Sequence, residues 1–442
     1  MAARTFPLGG VHPPDQKHLS AAKPVEPAPL PDLLVVPLSQ HIGAPARPVV
    51  KKGDRVLAGQ AIGEAVGFVS VPVHAPTSGK VLRVEPAPHP LGPPQPAVII
   101  EPDGDDRWAD DLEPLTDPHG ADPDEIRQRI QAAGIVGMGG ATFPTHVKLS
   151  PPPEVKIDTV ILNGVECEPY LTADHRLMLE EPDRILAGLR VILSVFGLDK
   201  GYIGIEENKP DAIELLGRKA REQGFAEVVP LAVKYPQGAE KQLIKAITGR
   251  EVPSGQLPMA VGAVVQNVGT AAAIWDAVSV GRPLVERITT VTGEGVAEPR
   301  NLRVRIGTPV RHLIELAGGL RGEPGKLILG GPMMGIAHHD PDVPAVKGTS
   351  GVLLLPRDRV RTAPEGPCIR CGRCVDACPM GLAPTTLRTL IAHEMVAEAD
   401  EWNALDCIEC GSCSFVCPAA IPLVQAIRYA KGRVMARRRK GG

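Results

Sequence analysis

Eight of the nine cysteines fall in two short runs, Cys368-x-x-Cys371-x-x-Cys374-x-x-x-Cys378-Pro379 and Cys407-x-x-Cys410-x-x-Cys413-x-x-x-Cys417-Pro418. Three thiolates at this spacing can be set around a cube by one tight loop, and the fourth, followed by proline, reaches into the next segment. The chemistry this predicts is one-electron transfer through two 4Fe-4S clusters, with all eight cysteines as ligands. Zinc fits less well, because it takes its ligands as two separated Cys-x-x-Cys pairs and has little use for a third cysteine at the same spacing. Disulfides suit small secreted chains, whereas this sequence has 442 residues, no recognisable secretory signal, and no cysteines spread through its length. That usage favours a reducing compartment.

A second constellation begins at Gly134-Ile-Val-Gly137-Met138-Gly139-Gly140-Ala141-Thr142-Phe143-Pro144-Thr145-His146-Val147-Lys148. It follows a helical stretch rather than a strand, so it is not the dinucleotide fingerprint of a Rossmann fold. Its glycines can still turn backbone N–H groups toward an anion, and Lys148 supplies a point charge suited to phosphate. A plain turn is the commoner meaning of such glycines in isolation. Their company changes the weighting. The strand candidate Thr159–Leu162 runs into Asn163-Gly-Val-Glu166-Cys167-Glu168-Pro169, which puts an amide and two carboxylates where open α/β sheets place ligands. Tyr235-Pro-Gln-Gly238-Ala-Glu240 and Val265-Gln266-Asn267-Val268-Gly269-Thr270 add two more polar, glycine-bearing segments, and the four together predict one shared pocket. Cys167, beside it, reads as a small buried thiol.

The elements that must hold these groups are legible in outline. Hydrophobic residues make up 43% and charged residues 22% with a net charge of -3, a globular composition with no general attraction to nucleic acid. Aromatics at 3% also speak against base-stacking platforms. The longest uncharged stretch, Val252 to Trp275, is broken by prolines, glycines and amides, so no spanning helix is expected. Residues 1–40 are proline-rich and read as an extended arm. Residues 41–100 alternate short apolar runs with Gly-Asp and Ser-Gly turns, a strand-rich module. Residues 101–123 read as an acidic, solvated linker, the stretch 101–125 carrying eleven acids against one arginine. From 124 to 284 helical stretches (Glu125–Ala133, Arg184–Phe196, Asp211–Glu222, Glu240–Ile247) interleave with strands (Thr159–Leu162, Tyr202–Ile205, Val228–Val233), which predicts an α/β sheet domain. Residues 285–345 give strand, short helix and strand. Residues 346–442 hold the cysteine runs, a helical spacing of Leu387, Leu390, Ile391 and Met395 between them, and a final helix, Pro422 to Lys440, with seven basic residues and no acid. Such a helix suits an anionic membrane surface or an acidic subunit, or is simply a solvated end.

Several of these stretches resemble known families. Residues 48–84 resemble the barrel-sandwich fold of biotinyl and lipoyl carriers, although Gly67-Phe-Val-Ser-Val71 stands where those carry a modifiable lysine, so the module reads as structural. Gly-x-Gly-Gly-Ala-x-Phe-Pro-Thr with its lysine, Asn-x-x-Glu-x-Glu-Pro and x-Asn-Val-x-Thr look like the FMN- and NADH-binding subunit of respiratory complex I. Residues 286–336 resemble a soluble ligand-binding β-grasp (SLBB-like) unit. Gly9-Gly-Val-His-Pro-Pro14, Lys17-His-Leu-Ser20, Pro37-Leu-Ser-Gln-His-Ile-Gly-Ala-Pro45 and the twin cysteine runs resemble the RnfC family, a component of Rnf (Rsx) ion-translocating electron-transport complexes, over nearly the whole chain. The fold this implies is multidomain α/β: a barrel-sandwich N-terminal module, a complex I-type FMN-binding α/β domain, a β-grasp domain and a C-terminal all-α ferredoxin domain.

The resemblance also implies roles. Gly137, Gly139, Gly140 and Lys148 would surround the FMN phosphate and ribityl chain, with Asn163 and Glu166 nearby and Gly238, Glu240, Asn267 and Thr270 completing the pocket. Phe143 and Glu168 would face NADH, by stacking and by accepting from ribose hydroxyls. The two-cluster ferredoxin pattern pairs Cys368, Cys371 and Cys374 with Cys417, and Cys407, Cys410 and Cys413 with Cys378. Met138, Val165 and Ala239 stand where complex I has an arginine, an aspartate and a second acid. The function implied is a peripheral electron-input subunit on the cytoplasmic face of the bacterial inner membrane, passing electrons between NADH, FMN, two 4Fe-4S clusters and, through the other Rnf/Rsx subunits that hold it to the membrane, ferredoxin. Hydride transfer demands no protein acid or base, so no catalytic residue is assigned. Two rivals share parts of the pattern: the corrin reductase of bacterial microcompartments, which begins near the glycine loop, and a cluster-bearing docking subunit that binds no nucleotide.

Overall fold

The computed structural model of the chain describes residues 3–360 and 363–441; the outermost residues of the expected arm and basic tail, 1–2 and 442, and the pair 361–362 lie outside the described residues. At its centre is a four-stranded parallel sheet in the order Ala226–Leu231, Gly201–Glu206, Thr159–Asn163, Ala263–Asn267. The two middle strands are almost entirely apolar and buried, as a parallel sheet covered on both faces requires. Helices Pro182–Phe196 and Val268–Ser279 cover one face and Glu240–Thr248 the other. Local signals set the helix ends: Pro182 and Pro210 start helices, and Gly197, Gly224 and Gly249 end them in the left-handed conformation. Asn163 and Asn267 sit side by side in the ladder, so the C-terminal edge of the sheet is polar.

The N-terminal module is a barrel sandwich of a four-stranded and a three-stranded sheet. Its core is Leu34, Val36, Ile62, Val73, Val81, Val98 and Ile100. The strand Leu34–Pro37 is part of it, pairing with Gly92–Pro102, so the module takes in the last residues of what reads as an arm in sequence. The arm itself is tied down throughout. Arg4 bridges to Leu231 and Val11 to Tyr235, and Val25–Pro27 adds an edge strand to the β-grasp sheet. The acidic stretch is docked rather than solvated: the Trp108 ring lies under Arg282 and Arg305, Ala58 bridges to Trp108, Leu115 is buried, and its N–H reaches the Val278 carbonyl. Trp108 and Leu115 are its anchors, and most of its carboxylates meet solvent.

The β-grasp unit also outgrows its expected end at 345. Strand Gly351–Pro356 lies in the middle of its six-stranded sheet, parallel to Glu286–Thr292 and antiparallel to Pro324–Leu329. The C-terminal unit is helical from Arg373 to Gly441, with Leu387, Ile391, Ala399, Ile427 and Val434 packed together. Among the described residues no helix is long and apolar enough to cross a membrane.

Helices Pro182–Phe196 and Val268–Ser279 touch backbone to backbone at Gly188, where a β-carbon would strike the Ala271 carbonyl. Overpacking of this kind costs about 1–3 kcal/mol. Gly188→Ala is therefore expected to lower the unfolding midpoint of the chain in thermal or denaturant melts; an unchanged midpoint would show that the two helices can slide apart freely.

Candidate functional site

The glycine loop is closed at its base. Gly137 N–H donates to the Phe143 carbonyl at 2.9 Å, and Met138 N–H donates to Thr270 Oγ1 at 2.9 Å. The apex, Gly139 to Ala141, stays exposed, and the Phe143 ring is half-buried beside it. Asn267 caps the helix Val268–Ser279 through Gly269 N–H and donates to Asp174 at 2.6 Å. It fills the space over Gly139, where a β-carbon would lie 2.8 Å from its amide nitrogen. Asn267 and Thr270 thus anchor the loop from beneath.

Lys148 comes from the short helix Thr145–Lys148 and reaches Glu240 Oε1 and the Val265 carbonyl, each at 2.6 Å. Asn163 donates to the Gly238 carbonyl at 2.8 Å. Of the three positions where the resemblance gives complex I a charged residue, Met138 and Val165 are buried and apolar and Ala239 is half-buried. The four segments do converge. Gln266, which in sequence stands out only as the neighbour of Asn267, is 2% exposed, and among the described residues neither end of its amide has a partner. An exposed glycine apex, one lysine beside it and an orphaned buried amide are a donor set that fits a phosphate-bearing, polar-ringed cofactor.

The two carboxylates behave differently from expectation. Glu166 accepts from the N–H groups of Asp174 and His175, capping the helix Ala173–Glu180, rather than standing free beside a flavin. Glu168 accepts from Met333 N–H at 3.1 Å and Met334 N–H at 2.8 Å, so the β-grasp loop Gly331-Pro-Met-Met-Gly335 occupies the carboxylate assigned to nucleotide ribose. Burial holds Glu168 up at about 7. Two buried lysines fix the segment that carries these carboxylates, residues 163–172. Lys17 donates to the Glu168 and Leu171 carbonyls, and Lys209 donates to the Val165 carbonyl. Cys167 is half-buried rather than buried; its sulfur accepts from Gly238 N–H at 3.3 Å, and desolvation pushes its thiol pKa up.

The cysteines fall into two frames. Cys368, Cys371, Cys374 and Cys417 line one cavity of about 530 Å³ with Ile369 and Ile421. Cys378, Cys407, Cys410 and Cys413 line a smaller, apolar one with Leu382 and Ile427. Each frame therefore borrows its fourth cysteine from the other run. The runs share one backbone: Arg370 and Glu409 at positive φ, then Gly372 and Gly411, then one turn of helix. Among the described residues no three His, Cys, Asp or Glu side chains are placed to hold a single metal ion. The frames differ in exposure. Cys368 and Cys371 are exposed, whereas Cys378, Cys410 and Cys413 are buried and Cys407 is half-buried. Burial raises the Cys407 and Cys413 thiols to about 11 and about 12, so loading the enclosed frame must expel protons.

Four family models match the chain: an RnfC barrel sandwich hybrid domain over residues 5–105, a Nuo51 FMN-binding domain over 130–276, an SLBB domain over 288–337 and a 4Fe-4S dicluster domain over 362–418. The C component of a proton-translocating ferredoxin:NAD(+) oxidoreductase complex from Clostridium ljungdahlii is 53% identical over 96% of this chain and 93% of its own length. The chain belongs to the RnfC family. An Acetobacterium woodii relative, named as the C component of a Na(+)-translocating ferredoxin:NAD(+) oxidoreductase complex, is 49% identical over 98% of both chains. The corresponding component of a Rhodobacter capsulatus ion-translocating oxidoreductase complex is 48% identical over 97% of this chain and 83% of its own. Among solved structures, a chain of the NAD+-reducing [NiFe]-hydrogenase in the air-oxidized state shares the fold, with a TM-score of 0.52 at 19% identity over 72% of this chain and 64% of that one.

In this RnfC chain the Glu168 carboxyl binds its proton more tightly folded than unfolded. Its ordinary value is 4.5 and its folded value about 7, so the stability it contributes is full below about 4.5 and is lost as pH rises toward 7. Glu168→Gln is expected to flatten that loss, worth up to about 3 kcal/mol. Parallel melts of both proteins across this range check it, and curves that stay parallel would refute the burial account.

Proposed function

We propose that this chain is the peripheral electron-input subunit of an Rnf-type ion-translocating oxidoreductase, working on the cytoplasmic face of the bacterial membrane. Electrons would pass between NADH, FMN, two 4Fe-4S clusters and membrane partners, with ferredoxin as the indirect redox partner. The observation that carries this reading is the pair of cysteine frames in one chain with a Nuo51-type glycine loop. The relatives' names state ferredoxin and NAD(+), and they differ in the ion, proton in one and sodium in the other.

Bound FMN would supply hydride acceptance and single-electron release. The chain's own residues do the positioning. Gly137, Gly139, Gly140 and Lys148 would hold the phosphate end, Asn163, Gly238 and Glu240 the adjoining wall, and Gln266 offers the unpartnered amide. Phe143, half-buried at the mouth, is the group available to stack on a nicotinamide. Asn267, Thr270 and Glu166 act through the loop and helix ends that they fix. Glu168 is engaged by Met333 and Met334, so contact with a nucleotide would require that loop to withdraw. This engagement also favours a second reading, a cluster relay that binds no nucleotide.

Flavin content and NADH bleaching separate the two. The purified, cluster-loaded chain is expected to carry FMN that NADH bleaches; a cluster-loaded chain without flavin would leave the relay. Lys148→Met is expected to weaken FMN retention roughly tenfold or more, since it removes a charged donor. For the clusters, Cys378→Ala should remove the signal of the enclosed frame and Cys417→Ala that of the open one, each with about half the iron. Loss of the opposite cluster in either variant would refute the crossed pairing.

A further inference from the structure

Tyr235 stands between the flavin-type fold and the enclosed cysteine frame and has no part in either set of expected ligands. It lies just beyond the strand Ala226–Leu231, its side chain is 2% exposed, and its hydroxyl donates to the Cys410 carbonyl at 2.8 Å. Tyr235 and Glu168 also influence each other electrostatically: burial first, and the carboxylate after it, hold the phenol's pKa up. The Cys410–Gly411 turn that it touches has no slack. Gly411 sits at φ +79°, and a β-carbon there would be 2.8 Å from the Met333 carbonyl of the β-grasp loop. Behind Tyr235, its backbone pairs with Val11 in both directions, at 2.8 and 2.9 Å, and Gly10 N–H donates to the Ala377 carbonyl next to Cys378. Arm, flavin-type domain and β-grasp loop thus meet on one cluster turn, and Tyr235 makes the only side-chain hydrogen bond to a backbone carbonyl of that turn among the described residues.

We propose that Tyr235 is a positioning residue for electron transfer into the enclosed cluster. Its hydroxyl fixes the Cys410 turn against the flavin-type domain, and the positive end of the O–H dipole, aimed at that turn, favours the reduced cluster. The inference rests on the reading of the cysteines as cluster ligands and of the α/β unit as the flavin domain. With flavin and cluster bound, the step would be the passage of one electron, with no bond made or broken. The reduced cluster carries one more negative charge, and hydrogen bonds around a cluster set its potential through that charge.

The test uses the full chain with both clusters loaded, titrated with a chemical reductant and mediators and followed by electron paramagnetic resonance. In Tyr235→Phe the reduced-to-oxidised ratio of the enclosed cluster at a fixed potential is expected to fall roughly fivefold, the worth of one neutral hydrogen bond, while the open cluster keeps its potential and serves as the internal reference. Tyr235→3-fluorotyrosine keeps the ring and strengthens the donor, so it should shift the same ratio the other way. That variant also carries the test if the phenylalanine protein does not retain its clusters. No shift in the enclosed cluster, or equal shifts in both, would overturn the proposal. NADH bleaching is measured on the same samples. Its failure would sink the flavin reading while leaving the chemically driven cluster titration to be judged by itself.

Discussion

The segment from Asn163 to Thr172 is irregular backbone buried among three domains, and such backbone survives only where its carbonyls are paired. Lys17, reaching in from the N-terminal arm, takes the Glu168 and Leu171 carbonyls, and Lys209 takes that of Val165. Both ammonium groups are buried, so removing either would leave charge or carbonyls uncompensated. Everything near the candidate site is referred to this segment. Asn163 opens it beside Gly238, Glu166 turns back to start a helix, Glu168 grips the β-grasp loop, and Thr172 bonds Ser20 and Asn301.

The arm and the β-grasp unit are consequently parts of the site's frame. Arg287, on the strand Glu286–Thr292, is buried and donates to the Lys347 and Met138 carbonyls, so the glycine loop is supported from outside its own domain. Lys347 in turn reaches the Gly134 carbonyl at the start of that loop and the Pro72 carbonyl of the barrel sandwich. The barrel sandwich is therefore held to the glycine loop through Lys347, in the turn before the β-grasp strand Gly351–Pro356, which gives a structural purpose to a carrier-type module without a carrier lysine.

What can be read from sequence follows from the range of the forces involved. Cysteine spacing, helix starts at Pro182 and Pro210, and the glycine-rich loop are local, and the structure forms each of those features where the residues stand. The strand Gly351–Pro356 is invisible in sequence as part of the β-grasp sheet, because its partner Glu286–Thr292 lies far back in the chain and only the fold brings them together. The acidic stretch misleads for a related reason: its charge dominates its composition, while Trp108 and Leu115, the residues that dock it, are few. Glu168 has the character of a ligand-binding carboxylate, and nothing local announces that Met333 and Met334 will claim it. Tyr235, Gln266 and Arg287 give no signal beyond being polar.

The basic C-terminal helix shows how the same limit bears on function. Its seven basic residues and lack of acids suggest an anionic membrane or an acidic subunit, yet most of that charge is spent within the domain. Arg428 and Lys431 share Glu409, Lys431 also takes the Cys407 carbonyl, Arg433 pairs with Glu394, and Arg438 with Asp400. Three of those contacts fall on the second cysteine run, so the helix braces the enclosed frame. The open frame has the opposite character. Cys368 and Cys371 are exposed, Ile369 between them is 67% exposed, and Arg370 and Arg373 make no ion pair among the described residues. An electron partner approaching the chain therefore meets exposed thiolates, an apolar side chain and unpaired cations at the open frame, and finds the enclosed frame walled in by the arm, Tyr235 and the β-grasp loop. Exposure, more than the charge of the final helix, distinguishes the two frames as surfaces open to an approaching partner.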